Sequence, residues 1–80
     1  MDSIIARVGK VFEAAFTVPA AQITTETTPD DVPKWDSLGH MSMVNILEKE
    51  FGTQFELDEV MEMATVRNIL DILSNKGVPA

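Results

Sequence analysis

The residues best suited to chemistry lie together in the segment Trp-Asp-Ser-Leu-Gly-His at positions 35–40. Ser37 offers a hydroxyl, Asp36 places a carboxylate beside it, and His40 is the only histidine of the chain. A hydroxyl, a carboxylate and an imidazole are the groups of a nucleophilic site. Ser37 has two other possible roles: it can cap a helix, or it can present its hydroxyl to another molecule that modifies it.

The surrounding sequence argues against a catalytic serine. The nucleophile elbow of serine hydrolases has the pattern Gly-x-Ser-x-Gly, but Trp35 stands where the first glycine is needed and only Gly39 matches. No oxyanion-hole motif is evident, and a chain of 80 residues leaves little room for a substrate pocket. We therefore expect a non-catalytic protein.

A helix and a long loop are predicted to precede this segment. Apolar residues recur at helical spacing over Ile4–Phe16, and either Asp2 or Ser3 can cap the start. Residues 17–36 are rich in Thr, Pro and Asp and read as a loop, which at this length is often functional. The residues expected to anchor this loop to the core are Ile23 and Val32.

Three further helices are predicted after the loop. A second helix over residues 37–51 ends at Gly52, which supplies the left-handed conformation that stops a helix. A short third helix is predicted over Leu57–Met61, and Thr65 caps a fourth over residues 66–76. The residues of the second helix that we expect to face the core are Leu38, Met41, Val44, Leu47 and Phe51. The predicted fold is all-α: a small four-helix bundle of three longer helices and one short helix, with a long loop between helices 1 and 2.

The composition is typical of a single globular domain over residues 1–80. Apolar residues make up 45% of the chain, which is enough for one core. The chain has no cysteine, so a disulfide, a thiolate metal site and a redox pair are excluded, and we expect no metal. The amino terminus has no basic region followed by an apolar stretch, and no run of apolar residues is long enough to span a membrane. We expect a soluble, cytoplasmic protein.

The negative charge is concentrated in the middle of the chain. Residues 26–62 contain ten acidic and two basic residues and carry a charge of −8, whereas the remainder carries +1. Such a field repels nucleic acid and anionic lipid and attracts basic protein surfaces. We therefore expect protein partners and no nucleic acid.

The start of the second helix favours modification of Ser37. Asp36 is the better helix cap, because its carboxylate can accept hydrogen bonds from amides two or three residues on. The Ser37 hydroxyl is then free, and the positive end of the helix dipole would stabilise a phosphate attached there.

The chain resembles the acyl carrier protein family. The resemblance rests on Asp36-Ser37-Leu38 opening the second helix, on Glu-Lys-Glu-Phe-Gly at 48–52, and on Thr-Val-x-x-Ile-Leu at 65–70. It extends from the first helix to the last.

The resemblance implies that Ser37 carries 4'-phosphopantetheine, transferred from coenzyme A by a separate phosphopantetheinyl transferase. It implies that acyl groups are held as thioesters on this arm and presented to acyl-loading and acyl-processing enzymes. The absence of cysteine agrees with this, because the chain could hold a thioester only on a borrowed thiol. We expect Asp36, Leu38 and Met41 to lie beside the arm, and we expect a monomer.

The resemblance also implies an acidic docking surface on or beside the second and third helices, where basic surfaces of partner enzymes bind. The residues expected to form it are Glu48, Glu50, Glu56, Asp58, Glu59 and Glu62. Methionine adapts its shape, so a cleft that opens for acyl chains of different length is predicted near the same helices. The methionines concerned are Met41, Met43, Met61 and Met63.

The sequence departs from the fatty-acid carriers just after the serine. Those proteins usually have acidic residues in the next turns, whereas residues 39–45 contain none, and Trp35 replaces a small residue. This favours a carrier of a specialised pathway, such as polyketide or secondary metabolism, over one of fatty acid biosynthesis. His40 is expected to have no role, the alternative being a hydrogen bond to the phosphodiester. Two other functions remain open: a peptidyl or aminoacyl carrier, and an acidic helical adaptor without a prosthetic group.

Overall fold

The computed structural model describes residues 3–78 and, over that range, contains four α-helices and no strand. The helices are α1 (Ile4–Phe16), α2 (Ser37–Phe51), α3 (Leu57–Glu62) and α4 (Val66–Asn75). The predicted all-α bundle is therefore confirmed, with α3 one residue longer and α4 one residue shorter than expected. Among these helices none has the length and apolar character needed to cross a membrane.

Local capping interactions determine where the helices begin and end. Ser3 caps α1, since its hydroxyl accepts a hydrogen bond from the amide three residues on at 3.3 Å. Thr65 caps α4 in the same way at 3.2 Å. Gly52 ends α2 in the left-handed conformation with φ 62°, as predicted. The alternative cap Asp2 lies outside the described residues.

The segment of residues 17–36 is more ordered than the predicted loop. It contains two short 3₁₀ turns, Ala20–Gln22 and Pro29–Asp31. The side chains of Ile23 and Val32 are buried in the core, as expected. The segment is therefore fixed to the bundle at two points and delivers its last residues to the start of α2.

Backbone hydrogen bonds also fix this segment to α4. The amide of Val66 donates to the carbonyl of Thr27 at 3.0 Å, and the amide of Arg67 donates to the carbonyl of Thr25 at 3.1 Å. The first amides of a helix have no partner within the helix, so these carbonyls satisfy two of them. The Thr27 hydroxyl accepts from the amide of Thr24 at 2.9 Å and holds the turn together.

The core-facing side of α2 differs from the prediction. Met43, Val44 and Leu47 are buried, whereas Leu38 is 83% exposed and Met41 is 49% exposed. At 100° per residue, Leu38 lies almost opposite the line through Met43 and Leu47. Placing Leu38 and Met41 in the core was therefore wrong, because apolar type alone does not define the buried face.

Candidate functional site

Ser37 is the first residue of α2 and is exposed to solvent. Asp36 is the helix cap, as predicted: its Oδ1 accepts a hydrogen bond from the amide of Gly39 at 2.8 Å. Among residues 3–78, none makes a hydrogen bond with the Ser37 hydroxyl. The hydroxyl is thus accessible at the positive end of a helix of 15 residues.

A close approach at Gly39 determines the path of the chain into Ser37. A Cβ at this position would collide with the backbone carbonyl oxygen of Lys34 and would lie 2.9 Å from ring atom Cε1 of Phe16. The end of the loop therefore lies directly against the first turn of α2. Only glycine allows this contact, so Gly39 contributes to the placement of Ser37.

An open groove of about 570 Å³ lies beside Ser37. This volume is within the range of about 300–1,000 Å³ that is common for sites of small molecules. The first turns of α2 form one wall and α3 forms the other. The residues that line the groove are Pro29, Trp35, Asp36, Ser37, His40, Met41, Leu57, Val60, Met61 and Met63.

Large apolar side chains surround the groove and are exposed to solvent. Leu57 is 72% exposed and Met61 is 76% exposed, in addition to Leu38 and Met41 on α2. Of the four methionines predicted to form a cleft, Met41, Met61 and Met63 line the groove. Met43 is fully buried in the core and does not line this groove, so its place in a cleft that opens for acyl chains stays a prediction.

Trp35 and His40 form a hydrogen-bonded pair that the sequence did not reveal. The indole Nε1 of Trp35 donates to Nδ1 of His40 at 2.7 Å, and Nε2 of His40 lies 2.8 Å from the carbonyl oxygen of Val60 in α3. Both ring nitrogens of His40 are therefore engaged within the fold, and its lack of a role toward the arm stays a prediction. A buried indole N–H needs an acceptor, and this requirement is the signal that could have identified the pair.

Three of the six predicted docking carboxylates make contacts within the fold. Glu48 accepts a hydrogen bond from the amide of Phe55 at 2.9 Å and closes the turn after α2. Glu50 pairs with Arg7 of α1 at 2.8 Å. Glu59 pairs with Lys76 at 3.0 Å. These carboxylates therefore connect elements of the bundle, in addition to contributing to its field.

The contacts of Glu59 also affect its ionisation. The backbone amide of Glu56 donates to Glu59 Oε1 at 2.8 Å, and Lys76 lies beside the same carboxylate. Both hydrogen bonds hold the pKa of Glu59 below its ordinary value, the bond from Glu56 having the larger effect. Glu59 is therefore charged at neutral pH, which agrees with a role in the acidic surface.

Of the other three acidic residues of the predicted surface, Asp58 and Glu62 lie on α3 and Glu56 directly precedes it. Glu56, Asp58 and Glu62 are exposed, and none of them forms an ion pair with another described residue. They alternate with the exposed apolar residues Leu57 and Met61. Next to the groove, α3 thus presents an apolar strip formed by Leu57 and Met61, with the carboxylates of Asp58 and Glu62 beside it.

Comparison with known proteins agrees with this site. The family described as the phosphopantetheine attachment site matches residues 7–73, a range that includes Ser37 and both walls of the groove. An acyl carrier protein of Thermosynechococcus vestitus is 26% identical over 75 residues, which cover 94% of this chain and 93% of that protein. An exposed hydroxyl at a helix start, with an apolar groove beside it, fits the prosthetic group of this family, 4'-phosphopantetheine. The chain belongs to the acyl carrier protein family, whose members are non-catalytic carriers.

Proposed function

We propose that this protein carries acyl groups as thioesters on a 4'-phosphopantetheine arm attached to Ser37. The observation that carries the proposal is the exposed Ser37 hydroxyl, without a partner among the described residues, at the start of α2. Of the other serines, Ser3 caps α1, and Ser42 and Ser74 lie within α2 and α4. Neither Ser42 nor Ser74 has the free amides of a helix start nearby.

The chain's own residues define how the arm would be held. The free amides of the first turn of α2, together with the helix dipole, stabilise the negative charge of a phosphodiester on Ser37. Asp36 holds that turn in place through its bond to Gly39. The exposed side chain of Leu38 lies next to the attachment point and borders the arm. When bound, the group supplies the thiol that the chain itself lacks.

The groove favours an acyl cargo over an aminoacyl one. Its walls consist mainly of methionine, leucine, valine and tryptophan side chains. An acyl chain can bury its apolar surface against these side chains. Membership of the carrier family also favours this function over that of an adaptor without a prosthetic group.

The apolar strip and carboxylates of α3 are the proposed docking surface for the transferase and for acyl-loading and acyl-processing enzymes. The surfaces by which these enzymes bind α3 would be basic around an apolar centre. Charged groups at the rim of an interface mainly increase the association rate, and salt screens them. We assign the strongest docking role to Glu56, Asp58 and Glu62, because Glu48, Glu50 and Glu59 already contact other parts of the fold.

The test is modification by a broad-specificity phosphopantetheinyl transferase, supplied with coenzyme A and followed by intact-mass measurement. We expect the unmodified chain to gain the mass of one phosphopantetheine and Ser37→Ala to gain none. Ser42→Ala is the matched control, since it removes an exposed hydroxyl from the same helix, and it should be modified normally. Modification of the Ser37→Ala variant would refute the assignment.

A further inference from the structure

The hydrogen-bond partners of His40 determine its tautomer. An indole N–H can only donate, so Nδ1 of His40 must accept the bond from Trp35. A carbonyl oxygen can only accept, so Nε2 must carry the proton that it donates to Val60. These two bonds together require the tautomer of His40 with its proton on Nε2. The planes of the two rings are nearly parallel, with an angle of 8° between them.

This pair connects three parts of the bundle. Trp35 is buried against the rings of Phe12 and Phe16 in α1, with centroid distances of 5.0 Å and 6.1 Å. His40 is on α2, and it reaches Val60 in α3. A continuous series of contacts thus runs from α1 through the end of the loop and α2 to α3.

This connection is one of several contacts that hold α3 on the bundle. A helix of six residues is not stable by itself and needs tertiary contacts. Its ion pair, Glu59 with Lys76, leads away from the groove, and Val60 and Met63 contribute apolar packing. Over residues 3–78, the bond from His40 is the only hydrogen bond or ion pair between α2 and α3.

We infer that His40 is a positioning residue, which sets the distance between α3 and the Ser37 end of α2 and so the width of the groove. Trp35, His40 and Val60 all line this groove, so a change in their connection alters the space beside Ser37 directly. This inference depends on the proposed function in one respect only, namely that the groove holds the acyl cargo. The geometry of the connection can be tested on the unmodified chain.

Three substitutions separate the two hydrogen bonds of His40. In His40→Asn the carboxamide oxygen can replace Nδ1 as acceptor for Trp35, but the side chain is too short to reach Val60. In His40→Gln the longer amide can donate to the Val60 carbonyl. His40→Ala removes both bonds.

The measurements are amide hydrogen exchange and NMR of the whole chain. We expect His40→Ala and His40→Asn to speed exchange in α3 by about 3- to 10-fold, the size of one net hydrogen bond, and His40→Gln to restore slow exchange. The methyl signals of Met41, Met61 and Met63 should shift in the same two variants. In the unmodified chain, a scalar coupling across the hydrogen bond between Trp35 Nε1 and His40 Nδ1 should be present, and Trp35 is the only tryptophan.

Equal α3 exchange in His40→Asn and His40→Gln would overturn the inference, as would the absence of the coupling. This comparison holds even if His40→Ala does not fold. Modification of Ser37, measured separately by intact mass, distinguishes a failure of the proposed function from a failure of the role assigned to His40. If Ser37 is not modified in the unsubstituted chain, the proposed function fails, while the hydrogen-exchange results still decide the role of His40.

Discussion

The close contact at Gly39 makes Gly39→Ala a demanding test of the geometry around Ser37. In an exposed helix, alanine is favoured over glycine by about 1 kcal/mol. Here the added Cβ meets the carbonyl oxygen of Lys34 and the ring of Phe16, and neither is the flexible end of a long side chain. Overpacking of this kind typically costs about 1–3 kcal/mol. Because the collision with the carbonyl requires a backbone shift, we take the upper part of this range.

The expected net effect is a loss of about 1–2 kcal/mol in the free energy of unfolding, after the gain in helix propensity is subtracted. For a domain of this size, each kcal/mol lowers the melting temperature by about 4–8 °C. Chemical denaturation monitored by circular dichroism measures the loss. Ser42→Ala is the control: it lies on the exposed side of α2 and should change stability by less than about 0.5 kcal/mol.

Gly39→Ala should also slow the modification of Ser37. The backbone shift needed to accommodate the Cβ displaces Lys34 or the first turn of α2, which begins with Ser37. We expect a lower rate of phosphopantetheine transfer at a temperature where the variant is fully folded. A variant as stable as the unsubstituted chain and modified at the same rate would refute the reasoning about this contact.

Three further predictions concern the acid response, the docking surface and the core. The pKa of Glu59 is lower in the folded state than in the unfolded state. Its contribution to stability is therefore fully present above the unfolded pKa of about 4.3 and is lost as pH falls through the folded pKa. Stability, measured by circular dichroism, should thus fall less steeply with decreasing pH in Glu59→Gln than in the unsubstituted chain. The double variant Asp58→Asn/Glu62→Gln should weaken binding to the transferase at low salt, measured by titration calorimetry. Met43→Ala should cost about 2–5 kcal/mol in denaturant unfolding, whereas Met61→Ala should cost little.

Each of these predictions has a contrary outcome. Acid unfolding identical in Glu59→Gln and the unsubstituted chain would contradict the first. For docking, equal affinity at low and high salt would contradict a role of charge, and Glu13→Gln on α1 is a control outside the surface. For the methionines, similar losses of stability in the two variants would contradict the division between core and groove.

Most helix boundaries could be predicted because their determinants are local. Ser3, Asp36 and Thr65 cap helices through side chains that bond to amides three residues on, and Gly52 supplies a left-handed residue. These interactions depend on nearest neighbours in sequence, so a pattern reveals them. For the same reason the position of Ser37 at a helix start followed directly from the residues around it.

The pairings of the acidic residues could not be predicted, because their partners are remote in sequence. Arg7 and Glu50 are 43 residues apart, and Lys76 reaches Glu59 from beyond the end of α4. The sequence showed an excess of acidic residues in the middle of the chain. It did not show which carboxylates are engaged within the fold.

The error in the face of α2 has a physical cause that bears on function. Leu38, Met41, Leu57 and Met61 are apolar and exposed; the last three line the groove, and Leu38 follows Ser37 directly in sequence. Burial of each such side chain would contribute roughly 1.5–3 kcal/mol to the free energy of unfolding, which is a large gain for a chain of 80 residues. Periodicity cannot distinguish a residue that faces the core from one that faces a cargo or a partner. Since the fold leaves these four out of its core, their apolar surface is available to what binds beside Ser37, and their substitution should affect binding more than stability.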